Sequence, residues 1–154
     1  MYTLRPMFVR WQSRKHIRPQ FGRHGAADVR WTAVVAETRR VDGKPRQRHV
    51  AYLGSITERG MQIDLPRCNF WDRVAARLDA LGNQITATDR NRIEAAIADK
   101  VPRPTPAQYK DAARAAAQLF GWEWLTEPQR AALQDEAEQY QGDGELVGRT
   151  TASA

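Results

Sequence analysis

An α+β fold, with an N-terminal basic β-hairpin of two to three antiparallel strands packed on a C-terminal bundle of about four helices, is predicted by three features of the chain. "RWTAVVAETRR" and "HVAYLGSI", both rich in β-branched and aromatic residues, flank a turn signal at Asp42-Gly43. Apolar residues recur at helical spacing from residue 70 onward. Two Thr-x-x-Gln boxes then mark the starts of two further helices.

The first strand is read in "MFVRW", where Met7, Val9 and Trp11 alternate with Phe8 and Arg10. Residues 12–28, "QSRKHIRPQFGRHGAAD", mix Gly, Pro and cations without either period, and read as a flexible basic loop. A two-residue reversal at Asp42-Gly43 needs positive φ, which Gly supplies without steric cost. That turn would set Glu37 against Arg48 and Arg39 against Arg46, with Val35 on Val50, Ala33 on Tyr52 and Trp31 opposite Gly54. The base of the hairpin is then apolar and its tip basic. Two strands alone are marginal in water, so the apolar end must pack on something.

Helices supply it. In "FWDRVAARLDAL", residues 70–81, Phe70, Val74, Leu78 and Leu81 form one stripe, with Asn69 as N-cap and Gly82 as stop. Residues 89–101 follow with Ile93, Ile97 and Val101. "VPRPTP" breaks the chain, because three prolines exclude helix there. Thr105, Pro106 and Gln108 open the third helix, closed by Gly121; Thr126 and Gln129 open the fourth, which ends at Gly142. The organisation is therefore a basic hairpin module over 1–60, a helical region over 61–141 and a tail, 142–154, whose lack of period predicts disorder.

Of the 154 residues, 42% are hydrophobic and 27% charged, as in ordinary globular chains. No apolar run approaches the roughly 20 residues that span a bilayer. The N-terminus does not read as a secretory signal, since arginine interrupts it. The single cysteine, Cys68, excludes an internal disulfide and a Cys-based zinc cluster. The expectation is a cytoplasmic protein without a membrane role. The net charge is +6, but residues 1–60 hold 13 Lys and Arg against 4 acids, whereas the remainder holds 11 against 14. All three histidines also fall in the first segment. Such asymmetry points to a cationic module that meets a polyanion.

"MFVR" and "GKPRQRHVAYLG" together carry a resemblance. Met7 to Arg10, then Gly43, Lys44, Arg46, Gln47, Arg48, Val50, Leu53 and Gly54 resemble the N-terminal region of bacterial insertion-sequence transposases of the DDE type. The match covers about residues 7–56. Those proteins continue into an RNase H-like domain whose separated Asp, Asp and Glu hold divalent metal. The helix-patterned remainder here does not resemble it, and no catalytic residue carries over. The resemblance implies a DNA-handling module of mobile-element or phage type, used without the enzyme.

The candidate nucleic-acid-binding residues are Arg39, Arg40, Lys44, Arg46, Arg48 and His49 at the tip, extended by Arg14, Lys15, Arg18 and Arg23 on the connector. A two-stranded ribbon fits a major groove, and arginine forks two hydrogen bonds to phosphate or a guanine edge. The competing reading is edge protection, since cations on exposed strands block sheet-to-sheet aggregation. Trp11, Trp31 and Tyr52 are placed in the core, with base stacking as the alternative. Trp122-Glu123-Trp124 straddles a turn, so one indole there can serve a protein partner. The histidine spacing matches no metal-ligand pattern, and no nucleophile elbow, P-loop or paired carboxylate is present in a recognisable frame. No cofactor, metal or catalytic residue is therefore assigned. The expected function is non-enzymatic nucleic-acid binding, with duplex DNA favoured over RNA. The helical half would act as scaffold, dimerisation surface or partner platform. The alternative is a protein-binding inhibitor or adaptor of a host nucleic-acid machine, in the style of an anti-CRISPR.

Overall fold

Asp42 and Gly43 take φ of 53° and 74°, the pair of positive values that lets a two-residue turn match the twist of its flanking strands. In the computed structural model, which describes residues 6–17 and 27–134, this turn joins the longest strands of a three-stranded antiparallel sheet. Its strands are β1 (Met7–Ile17), β2 (Ala27–Val41) and β3 (Lys44–Thr57), in the order β1-β2-β3. The expected α+β architecture is observed: the sheet precedes four helices. The expected tail, 142–154, lies outside the described residues. The chain forms two compact units, Met1–Arg103 and Pro104–Ala154.

In the first unit, 3-10 turns lead into and out of α1 (Asp64–Leu81), and α2 (Ala87–Lys100) follows. α1 runs along β3 and α2 along β1, both on one face of the sheet. The core between them holds Ala33, Val35, Leu53 and Ile56 from the sheet and Phe70, Trp71, Val74, Leu78, Ile93, Ile97 and Val101 from the helical side. Trp11, Ala33 and Gly54 lie in one cross-strand row. Phe70 lies on that row, stacked on Trp11 at 6.3 Å between centroids and 3.4 Å from where a Cβ on Gly54 would stand. Small side chains at two of three positions admit the ring. The Trp71 indole N–H donates to the Val101 carbonyl at 3.2 Å, tying α1 to the end of α2.

Four expectations are corrected. The register from the turn to Glu37–Arg48 and Ala36–His49 is the expected one, but two β-bulges on β3 then shift it. Val35 pairs with Ala51, not Val50; Ala33 with Gly54, not Tyr52; Trp31 with Ile56, not Gly54. The two unpaired residues, Val50 and Leu53, join the core, so Val50, Leu53 and Ile56 at intervals of three do what strict alternation would not. Second, β1 continues through residues 12–17, so Arg14 and Lys15 stand on a strand rather than in a loop, and β2 begins at Ala27. Third, α1 starts at Asp64, so Asn69 is inside it and not its cap. Pro66 fits the first turn, where an amide hydrogen has no intrahelical acceptor to lose. Asp64 reinforces that turn by pairing with Arg67 at 3.3 Å. Fourth, α2 begins two residues before the expected start, on a Thr86/Asp89 capping box. Gly82, with φ 52°, stops α1 as expected.

In the second unit, α3 (Pro106–Phe120) opens on the expected Thr105/Gln108 box and ends at Gly121, φ 93°. A 3-10 turn (Trp122–Trp124) follows. The next helix, α4, starts at residue 127 under a reciprocal Thr126/Gln129 box and is described to residue 134. Ala112, Ala113, Ala116, Leu125 and Leu133 are buried.

Phe70→Ala should lower stability by about 3–5 kcal/mol, the range for deleting a buried ring without collapse, read as a lower denaturant midpoint. Cys68 is 2% exposed. Burial, reinforced by the nearby Asp72 and Asp64 charges, pushes its thiol up to about 11. It should therefore resist alkylation at neutral pH in the folded protein and react at the rate of a free thiol once unfolded. Fast native-state labelling would contradict the packing of α1.

Candidate nucleic-acid interface

β1 reaches only as far as Met7, which pairs with Glu37. Beyond that pair, among the described residues, β2 and β3 pair only with each other: Thr38–Gln47, Arg39–Arg46, Arg40–Pro45 and Val41–Lys44. Residues 38–47 thus form a two-stranded ribbon that leaves the three-stranded sheet, about 14 Å long at the rise of an antiparallel strand. All residues from Arg40 to His49 are exposed.

Glu37 sits at the ribbon's base, 8% exposed. Its Oε1 is 3.4 Å from Arg48 and 3.5 Å from Arg39, which meet it from opposite strands. Two of the five predicted tip cations are therefore partly neutralised. Arg40, Lys44 and Arg46 have no carboxylate within 4.0 Å among the described residues. Arg39 and Arg46 face each other directly, and like charges in register weaken a ladder. A local cost of this kind, borne at an exposed tip, is what a binding surface for anions tolerates.

Of the remaining predicted residues, His49 pairs with Ala36 and is exposed at the ribbon's foot, on the sheet face turned away from α1 and α2. Arg14 is exposed on that same outer face, opposite Arg30, whereas Lys15 is exposed on the face that carries the helices. Arg18 and Arg23 lie outside the described residues. The structure thus gathers the hairpin residues into one ribbon but sets Arg14 and Lys15 on opposite faces of β1.

The aromatic residues divide likewise. Trp11 and Trp31 belong to the helix side. Trp11 stacks on Phe70, while the Lys100 ammonium lies 3.4 Å from the Trp31 centroid and 5.6 Å from that of Trp11. The Trp31 N–H donates to Glu58 at 3.1 Å. Both indoles are committed to holding the end of α2. Tyr52 departs from its expected place on the core face: it pairs with Val34, is 38% exposed, and has Arg77 at 5.9 Å from its ring. The bulge at Leu53 turns it outward. Arg10 and Arg30, outside the predicted set, are also exposed on the outer face. Their signal is the alternation in "VRWQSR" and "VRWTAV", where each arginine adjoins a core tryptophan.

Among the described residues, no three His, Cys, Asp or Glu side chains are grouped to hold a metal ion, and no helix is long and apolar enough to cross a membrane. Comparison with protein-family models, curated proteins and solved structures returns no match for this chain.

Glu37→Gln should cost about 1 kcal/mol at low ionic strength and less at high, because both guanidinium partners are about half exposed and screened by salt. Urea denaturation at two salt concentrations measures this; a loss independent of salt would contradict the ion-pair account.

Proposed function

We propose that this protein is a non-enzymatic, nucleic-acid-binding accessory protein of mobile-element or phage type that engages duplex DNA through the 38–47 ribbon. The observation that carries the reading is the ribbon itself: among the described residues, two strands that run on past the end of β1 and bear Arg40, Lys44 and Arg46 without carboxylate partners. A two-stranded ribbon fits the major groove, which is about 12 Å wide. Phosphate neutralisation supplies affinity, and sequence is read only where an arginine reaches a base edge. The resemblance of residues 7–56 to transposase N-termini agrees in kind.

A second reading has its own observation. In the second unit, Leu119, Phe120, Trp122 and Trp124 are 69%, 61%, 48% and 75% exposed. Tryptophan is enriched among residues that dominate protein interfaces, and these four favour an adaptor or inhibitor that docks on a protein of a host nucleic-acid machine.

The triple variant Arg40→Gln, Lys44→Gln, Arg46→Gln separates the two. It leaves the Glu37 ion pairs and the core untouched, so the melting temperature should hold. Duplex affinity should fall, and the slope of log affinity against log salt should shrink by about 0.9 for each phosphate no longer neutralised. An unchanged affinity and slope would transfer the tip cations to edge protection and put the protein-partner reading first.

A further inference from the structure

We infer that the outer face of the sheet is a second binding surface, for unpaired nucleic acid, distinct from the ribbon. Strand register sets three rows on it: Phe8–Ala36–His49, Arg10–Val34–Tyr52 and Gln12–Thr32–Ser55, followed by the adjacent pair Arg14–Arg30. Val34 and Ala36, 4% and 2% exposed, make a low floor on the central strand. Aromatic rings and arginines flank that floor. Tyr52 is held by its hydroxyl, which donates to Ser55 Oγ at 3.3 Å, and by Arg77 near its ring.

Charge selects the occupant. Arg10, Arg14 and Arg30 are exposed, and no carboxylate lies within 4.0 Å of any of them among the described residues. The one acid the strand alternation sets on this face, Asp28, is 8% exposed and accepts from the Val29 backbone N–H at 2.8 Å. Elsewhere some arginines find acids, namely Arg39 and Arg48 on the helix side of the ribbon and Arg67, Arg90, Arg103 and Arg114 in the helical parts, whereas Arg59, Arg73, Arg77, Arg92 and Arg130 are not aligned in a cross-strand track with aromatic rings. Arg10 and Arg14 are four residues apart on one strand, about 13 Å, so the cations form a track and not a point. A flat face combining a cationic track with accessible rings suits a single strand, whose phosphates follow the charges while its bases stack on the rings. A duplex keeps its bases stacked on each other and offers none to Tyr52 or Phe8. The inference shares its ligand class with the ribbon reading but stands on different residues.

Two variants and three probes test it: the face variant Arg10→Gln, Arg14→Gln, Arg30→Gln and the ribbon triple, against oligothymidylate, oligouridylate and a duplex of equal length. Both single strands are offered because the 2′-hydroxyl distinguishes RNA from DNA. The face variant should lose about tenfold or more in affinity for the preferred single strand, with duplex affinity kept within about twofold. Tyr52→Ala should lose about tenfold on the same strand, and Tyr52→Phe, which keeps the ring, should not. Ultraviolet crosslinking of the wild-type chain to that strand, mapped by peptide mass spectrometry, should mark Tyr52 or Phe8; it needs no variant to fold. Single-strand affinity unchanged in the face variant, or crosslinks confined to the second unit, would overturn the inference. Loss of duplex binding in the ribbon triple, with single-strand affinity unchanged in the face variant, would sink the outer face and keep the ribbon. Loss of single-strand binding in the face variant, with the ribbon triple silent on duplex, would do the opposite.

Discussion

The contact of Phe70 with the row Trp11–Ala33–Gly54 is the constraint on which the first unit depends. An antiparallel sheet of three strands must bury one face to be stable. Here it does so by thinning that face at its centre and lowering an aromatic ring onto it. The ring belongs to α1, so the contact places α1 over β3. The Trp71 bond to Val101 and the Lys100 ammonium on Trp31 and Trp11 then bring the end of α2 to β1. With α1 and α2 on one face, the strand register sets Arg10, Arg14 and Arg30 on the other, around a floor of Val34 and Ala36 flanked by Phe8 and Tyr52. The strands that outrun β1 are left as a ribbon.

Much of this is legible in the sequence wherever local chemistry is decisive. Asp42-Gly43 specifies its turn because few residues accept positive φ. The Glu37–Arg48 and Arg39–Arg46 pairs follow by counting outward from it. Thr105 and Thr126 announce helix starts through their own side chains. Counting fails from Val35 onward, because a bulge is a tertiary adjustment: Val50 and Leu53 are worth inserting only once α1 is there to receive them. The extension of β1 is hidden for a related reason. An edge strand with an exposed face tolerates "QSRK", so no apolar alternation reports it. Asn69 misleads because packing carries the helix back to Asp64 and leaves a residue that favours caps half-buried inside it.

The arginines behave as two populations. Within the sheet, Arg39 and Arg48 on the helix side of the ribbon share one carboxylate, Glu37, and in the helical parts Arg67, Arg90, Arg103 and Arg114 meet Asp or Glu while Arg73, Arg77 and Arg92 do not. Those on the outer face and at the tip do not, among the described residues. Composition reports only their sum, a basic N-terminal segment. The division between faces emerges only when the strands are paired. Sequence therefore passes over Arg10 and Arg30 while it singles out Arg39 and Arg48, the more neutralised members. Self-repulsion among these cations is a cost that bound phosphate would relieve.

The central claim is that a single sheet presents its unpaired arginines to nucleic acid and its paired ones to the fold. Arginine-selective dicarbonyl footprinting, read by peptide mass spectrometry with and without mixed single-stranded and duplex DNA, addresses it in one measurement. Arg10, Arg14, Arg30, Arg40 and Arg46 should be modified in the free protein and protected in the complex. Arg67, Arg90 and Arg103 should react slowly and equally in both. Protection confined to arginines outside the sheet, or no protection anywhere under conditions that retain binding, would contradict the account.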